Sequence, residues 1–130
     1  KTAPGEQEMT DKNYSIVRYL DRVEPVDCPY GSVRRVITGG EGSANVHVVC
    51  VSKGKEHFHK AYDEVYYFLS GIGTLTLDSH THELRPGTIV NIPAGTLHFL
   101  ESDSDTPLEF IIFGSPPMSI EDDRAKPIKP

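Results

Sequence analysis

The chain has 130 residues and carries 13 Lys and Arg against 19 Asp and Glu, a formal charge of −6. That length fits one domain with one core. The acidic balance, without any Lys/Arg-rich run, argues against a partner of nucleic acid or anionic membrane, and no apolar stretch approaches the roughly 20 residues that cross a bilayer.

Residues 1–14 read as a flexible N-terminal segment without the hydrophobic region of a secretory signal, and Met9 is a candidate start. "YSIVRYLDRV" is expected to form a strand or a helical turn outside the main body. Then come short β-rich runs: "SVRRVI", "ANVHVVCV", "EVYYFL", "GTLTL", "TIVNI", "TLHFL" and "LEFIIF". Turn-forming residues separate them at 38–43, 52–55, 70–73, 77–82, 85–87 and 93–95. No run keeps a helical period over ten or more residues, so the pattern predicts an all-β sandwich or barrel of antiparallel hairpins over 15–114. Residues 115–130, rich in Pro and charge, are expected to run as an extended tail over this domain or over a partner subunit. Cys28 and Cys50 are too few for a disulfide framework, which favours reduced thiols and a cytoplasmic setting.

The stretch "KEHFHKAYDEVYYFLSGIG" carries the chemistry. Residues two apart in a strand point to the same side, so His57 and His59 present two imidazoles to one volume. Glu64 follows a turn-like "KAYD" and opens the next strand. Were that strand to pair with the one bearing the histidines, its carboxylate would come over the same space. Glu64, Tyr66 and Phe68 then share one face, and Val65, Tyr67 and Leu69 the other. His98 follows a Pro-x-Gly turn in a distant run and supplies a ligand from another direction.

Two spacings carry a family resemblance. His57-x-His59-x4-Glu64-x6-Gly71 resembles the first cupin motif, and Gly87-x5-Pro93-x-Gly95-x2-His98 resembles the second. Val51 and Ser102 depart from that pattern, standing where the family usually has glycine and asparagine, and neither is a ligand position. The resemblance implies a jelly-roll barrel, a double-stranded β-helix of six to eight strands. It also implies one divalent ion held by His57, His59, Glu64 and His98. Three imidazoles and a carboxylate suit Fe, Mn, Ni, Co or Zn, and the spacing does not choose among them. Exposed sheet edges and unpaired termini lead us to expect a homodimer.

His80-Thr81-His82 imitates the first motif, but it lies in a polar hairpin without an acid at matching distance and reads as surface. His47, in "NVHVVCV", reads as an outward polar residue or, in the sharper alternative, as a base beside the metal. Tyr66 is a second candidate for moving a proton. Arg34 and Arg35 are neighbours in one strand, so one faces inward if the strand lines the barrel. Phe68 and Leu100 are expected as apolar walls. The function expected is a metal-dependent enzyme acting on a small oxygen-bearing molecule. Dioxygenase-type oxidation is the first expectation, with isomerase or lyase chemistry, or a non-catalytic binding module, as alternatives.

Overall fold

Buried and exposed side chains alternate along Asp63–Ser70: Glu64, Tyr66 and Phe68 are buried, while Tyr67 and Leu69 are exposed. Such a strand has one face on a core and one on solvent. In the computed structural model, residues 15–28, 31–38, 41–54, 56–116 and 123–124 are described. The expected flexible segment 1–14 and most of the expected tail lie outside them.

Eleven strands follow one short 3-10 turn at Leu20–Arg22 among the described residues: β1 Val26–Cys28, β2 Gly31–Ile37, β3 Asn45–Val51, β4 Phe58–His59, β5 Asp63–Ser70, β6 Gly73–Leu77, β7 His80–Leu84, β8 Ile89–Ile92, β9 His98–Ser102, β10 Leu108–Ser115 and β11 Asp123–Arg124. A six-stranded sheet runs β1-β2-β3-β10-β5-β8, and a three-stranded one runs β7-β6-β9, antiparallel throughout. The segment before β4 joins the smaller sheet through bridges Lys53 to Glu101 and His57 to His98. β11 pairs with the other edge of β4. The two sheets close as a jelly roll around a core that includes Phe68, Phe110, Leu75, Leu84, Leu100 and Leu108. The rings of Phe68 and Phe110 stack at 4.7 Å.

The expected 77–82 turn shrinks to Asp78–Ser79, because Asp78 adopts φ 56°, a left-handed geometry that aspartate tolerates better than most residues. The residues that follow, His80 to Leu84, form the edge strand β7, exposed except at Leu84. A polar edge is how sheets discourage further pairing. "YSIVRYLDRV" contributes the 3-10 turn on the outside. This segment is tied down where Arg34 Nε donates to Val23 O at 3.1 Å and Arg18 donates to Val36 O at 2.7 Å and pairs with Glu41 at 2.8 Å. Both cysteine thiols are free.

Candidate metal centre

The first correction concerns Glu64. Its strand does not pair with the histidine strand: β5 pairs with β10 and β8, and β4 pairs with β11. Two residues of β4 offer little pairing length, and the chain crosses between sheets at Lys60–Ala61. The carboxylate therefore meets the imidazoles across the barrel, from the opposite sheet.

Backbone hydrogen bonds hold the imidazoles in register. His57 and His98 exchange both of theirs, N to O at 3.0 and 2.8 Å, which puts their rings 4.2 Å apart. The Pro93-Ala94-Gly95 turn is fixed from two sides, by Gly95 N donating to His59 O at 2.7 Å and Ala94 N donating to Asp63 Oδ1 at 2.8 Å. Gly95 holds φ +88° with open space where a Cβ would stand, so the position calls for glycine through its backbone angle. Ser102, the departure from the usual asparagine, does a turn's work through its hydroxyl, which donates to Thr106 O and accepts from Ser104 N.

His57, His59 and His98 each bring a ring nitrogen within 4.8 Å of the others. Glu64 Oε1 lies 3.2 Å from His59 Nε2 and 3.5 Å from His98 Nε2. Donor atoms about 2.1 Å from one ion at right angles would be separated by about 3 Å. Glu64 is 2% exposed and His98 2%. His98 Nδ1 donates to Thr96 O at 2.9 Å, which leaves Nε2 as the lone-pair nitrogen, buried and without a hydrogen-bond partner among the described residues. A buried nitrogen lone pair beside a carboxylate and two imidazoles is a donor set that suits a divalent cation. His57, only half-buried, is the most open member of the set.

The electrostatics favour the deprotonated ligands that metals need. Burial pushes the His98 pKa down to about 4, with the neighbouring His57 acting in the same direction. Burial of Glu64 opposes its charge, but the hydrogen bond from His59 and the nearness of the three histidines outweigh that, so its carboxyl titrates below the usual range.

Among the other candidates, Tyr66 is buried and its hydroxyl donates to Glu64 Oε1 at 3.2 Å, orienting the carboxylate. The outward reading of His47 is corrected: it is 7% exposed and faces the interior, one row along the sheet from Glu64. Burial and then the Arg35 guanidinium lower its pKa, while Glu64 pulls the other way. Asn45 Nδ2 lies 3.5 Å from His47 Nε2, at the outer limit of a hydrogen bond. His80 and His82 are exposed on β7 and stand apart from the cluster. Phe68 and Leu100, expected as walls, belong to the core packing. Tyr62 was not singled out in the sequence. Its hydroxyl is 2.8 Å from His59 Nδ1 and its ring stacks on the imidazole at 4.7 Å. Its place three residues after a ligand was the available signal.

Residues 46–114, more than half of the chain, match the Cupin domain family. The chain belongs to the cupin family. This cupin is 33% identical over 109 residues to the uncharacterised protein MJ1618 of Methanocaldococcus jannaschii, a match covering 78% of this chain and 87% of that one. It is 27% identical over 78 residues to quercetin 2,3-dioxygenase of Bacillus subtilis, covering 55% of this chain and 23% of the dioxygenase. Solved structures agree on the fold. A protein from Planctomyces limnophilus superposes with a TM-score of 0.80 at 23% identity, over 88% of this chain and 99% of that one. The nucleoside dehydratase Pac13 gives 0.70 at 20% identity over 90% and 95%, and ectoine synthase from P. lautus gives 0.73 at 17% over 88% and 94%.

Proposed function

We propose that this cupin is a mononuclear metal enzyme acting on a small, oxygen-bearing, unphosphorylated organic molecule, with His57, His59, Glu64 and His98 holding one divalent ion. The observation that carries this reading is the lone-pair nitrogen of His98, buried without a partner among the described residues and facing Glu64. Bound there, an ion of the Fe, Mn, Ni, Co or Zn group would supply Lewis acidity and, where redox-active, a meeting place for O₂ and substrate. The chain's own residues do the rest. Tyr66 holds Glu64 in place, Tyr62 orients His59, and the core beneath Tyr66 keeps water from the inner side of the site.

Oxidative cleavage is the first reading for turnover, supported by the similarity to a dioxygenase. A second reading, metal-assisted elimination or isomerisation, is favoured by His47, a neutral inward imidazole one row from Glu64 that is suited to accept a proton. Metal analysis of protein purified without added ions is expected to find one divalent ion per chain. Full metal content in His57→Ala and His98→Ala would overturn the ligand set. O₂ uptake by Fe(II)-loaded protein with diols, keto acids or phenols supports oxidation, and anaerobic turnover by Zn-loaded protein supports the second reading.

The reading extends to a cytoplasmic homodimer. Tyr67, Leu69, Ile89 and Phe113 form an exposed apolar patch on the outer face of β5, β8 and β10, which a second copy would cover.

A further inference from the structure

Arg34 and Arg35 adjoin in β2, and alternation separates them. Arg34 points outward and is spent on Val23 O. Arg35 is the direct partner of His47 on β3, and residues opposite one another across strands share a face. His47 is buried on the interior face, so Arg35 faces the interior too. Its row continues through Ile112 of β10, Tyr66 of β5 and Val90 of β8. The next inward row holds Asn45, Gly114 and Glu64, and Gly114 leaves the space between the asparagine and the carboxylate free of a side chain. Among the described residues, Arg35 is the one Lys or Arg on the inner face of the six-stranded sheet, and no described carboxylate pairs with it. Its exposure places the guanidinium at the rim rather than in the core.

We propose that Arg35 anchors a carboxylate of the substrate, so that the substrate class is an organic acid with its acid group at the rim and an oxygen donor at the far end. The guanidinium fork matches a carboxylate through two parallel N–H···O bonds. A phosphate would call for more positive charge than one arginine, and no described helix N-terminus faces this rim. β2 and β5 are three strand spacings apart, about 14 Å between backbones. The arginine and glutamate side chains close part of that gap, leaving room for one ring or a short chain. His47 lies between the two ends, where a neutral imidazole can accept a hydrogen from the ligand's middle. The proposal deepens the functional reading above and rests on it for the donor end alone.

The test uses 3,4-dihydroxyphenylacetate and its amide, a pair differing in the charged group. With Zn-loaded full-length chain, calorimetry is expected to show the acid binding about tenfold or more tighter than the amide, the scale of a charge-assisted pair. Arg35→Ala should erase that preference, and Arg35→Lys should recover only part of it. Equal affinity for acid and amide in the wild type, or an unaltered preference in Arg35→Ala, overturns the proposal. A second arm needs no metal. In chelator-treated protein, the Arg35 side-chain Nε–H resonance is expected to shift saturably with the acid and not with the amide, and no shift at tens of millimolar acid also overturns it. A chain that takes up no metal yet shows the acid-specific shift refutes the metal centre and upholds Arg35.

Discussion

His98 is kept neutral by its surroundings, and that has a consequence for stability. Its pKa falls from 6.5 to about 4 on folding, so between these values the unfolded chain binds a proton that the folded chain refuses. Stability from this group is complete above pH 6.5 and declines as pH falls, levelling off below about 4, a loss of about 3 kcal/mol. Glu64, also lowered, adds to the loss in the same direction below the ordinary carboxylate range. Thermal melts of chelator-treated protein should therefore drop from pH 7 to pH 4, and His98→Gln should flatten the upper part of that slope. An identical slope in the two proteins would contradict the assignment. Tyr62 acts one bond further out. In the metal-free protein His59 Nε2 donates to Glu64; with an ion bound, the His59 proton would sit on Nδ1 and face the Tyr62 hydroxyl 2.8 Å away, freeing the Nε2 lone pair for the ion. Tyr62→Phe retains the ring stack and loses the hydroxyl, so metal affinity by chelator competition is expected to fall about 10- to 100-fold with little change in fold.

At the scale of strands, the site depends on how closely β6 and β9 approach. Gly73 sits opposite Ser102, and a Cβ there would run into the backbone carbonyl of Glu101. Gly73→Ala must push β9 away, and β9 begins at His98. We expect a stability loss of about 1–3 kcal/mol together with weakened metal binding, measured by denaturant titration and metal analysis. Retention of both would show that the strands shift without cost. The strands themselves were legible in the sequence where one face is wet: alternation in "EVYYFL" gave the inward set Glu64, Tyr66 and Phe68 correctly. It failed for "NVHVVCV", because Val48 is buried on the outer face while His47, Val49 and Val51 are buried on the inner one. With apolar residues on both sides, parity could not say which way His47 points. The partner of each strand was illegible for a different reason. Pairing of β5 with β10, some 45 residues away, is set by closure of the whole barrel, and no local pattern encodes it. The three histidines and Glu64 nevertheless lie together, as their spacing led us to expect, because motif spacing survives an error about which strand neighbours which.

The whole molecule presents two unequal halves on the outer face of its large sheet. Over β2 and β3 the N-terminal segment is fastened by Arg34 to Val23 O and by Arg18 to Val36 O and Glu41. Over β10, β5 and β8 the outward residues are Phe113, Tyr67, Leu69 and Ile89, and Ile89 is 68% exposed. Apolar patches of this kind on soluble proteins commonly mark an interface. A net charge of −6 keeps copies apart at long range, so association would have to come from this patch at short range. Light scattering at micromolar concentration is expected to give twice the chain mass. Tyr67→Glu with Ile89→Glu, both on the outer face, should shift the population to monomer while metal content stays unchanged, since inward Glu64 and Tyr66 are untouched. If the wild type is monomeric, a second copy does not cover the patch. If the double variant remains dimeric, the contact lies elsewhere, and β11 against β4 becomes the first edge to examine, because a tail that pairs beside His59 within one chain can pair there in a partner by the same hydrogen bonds.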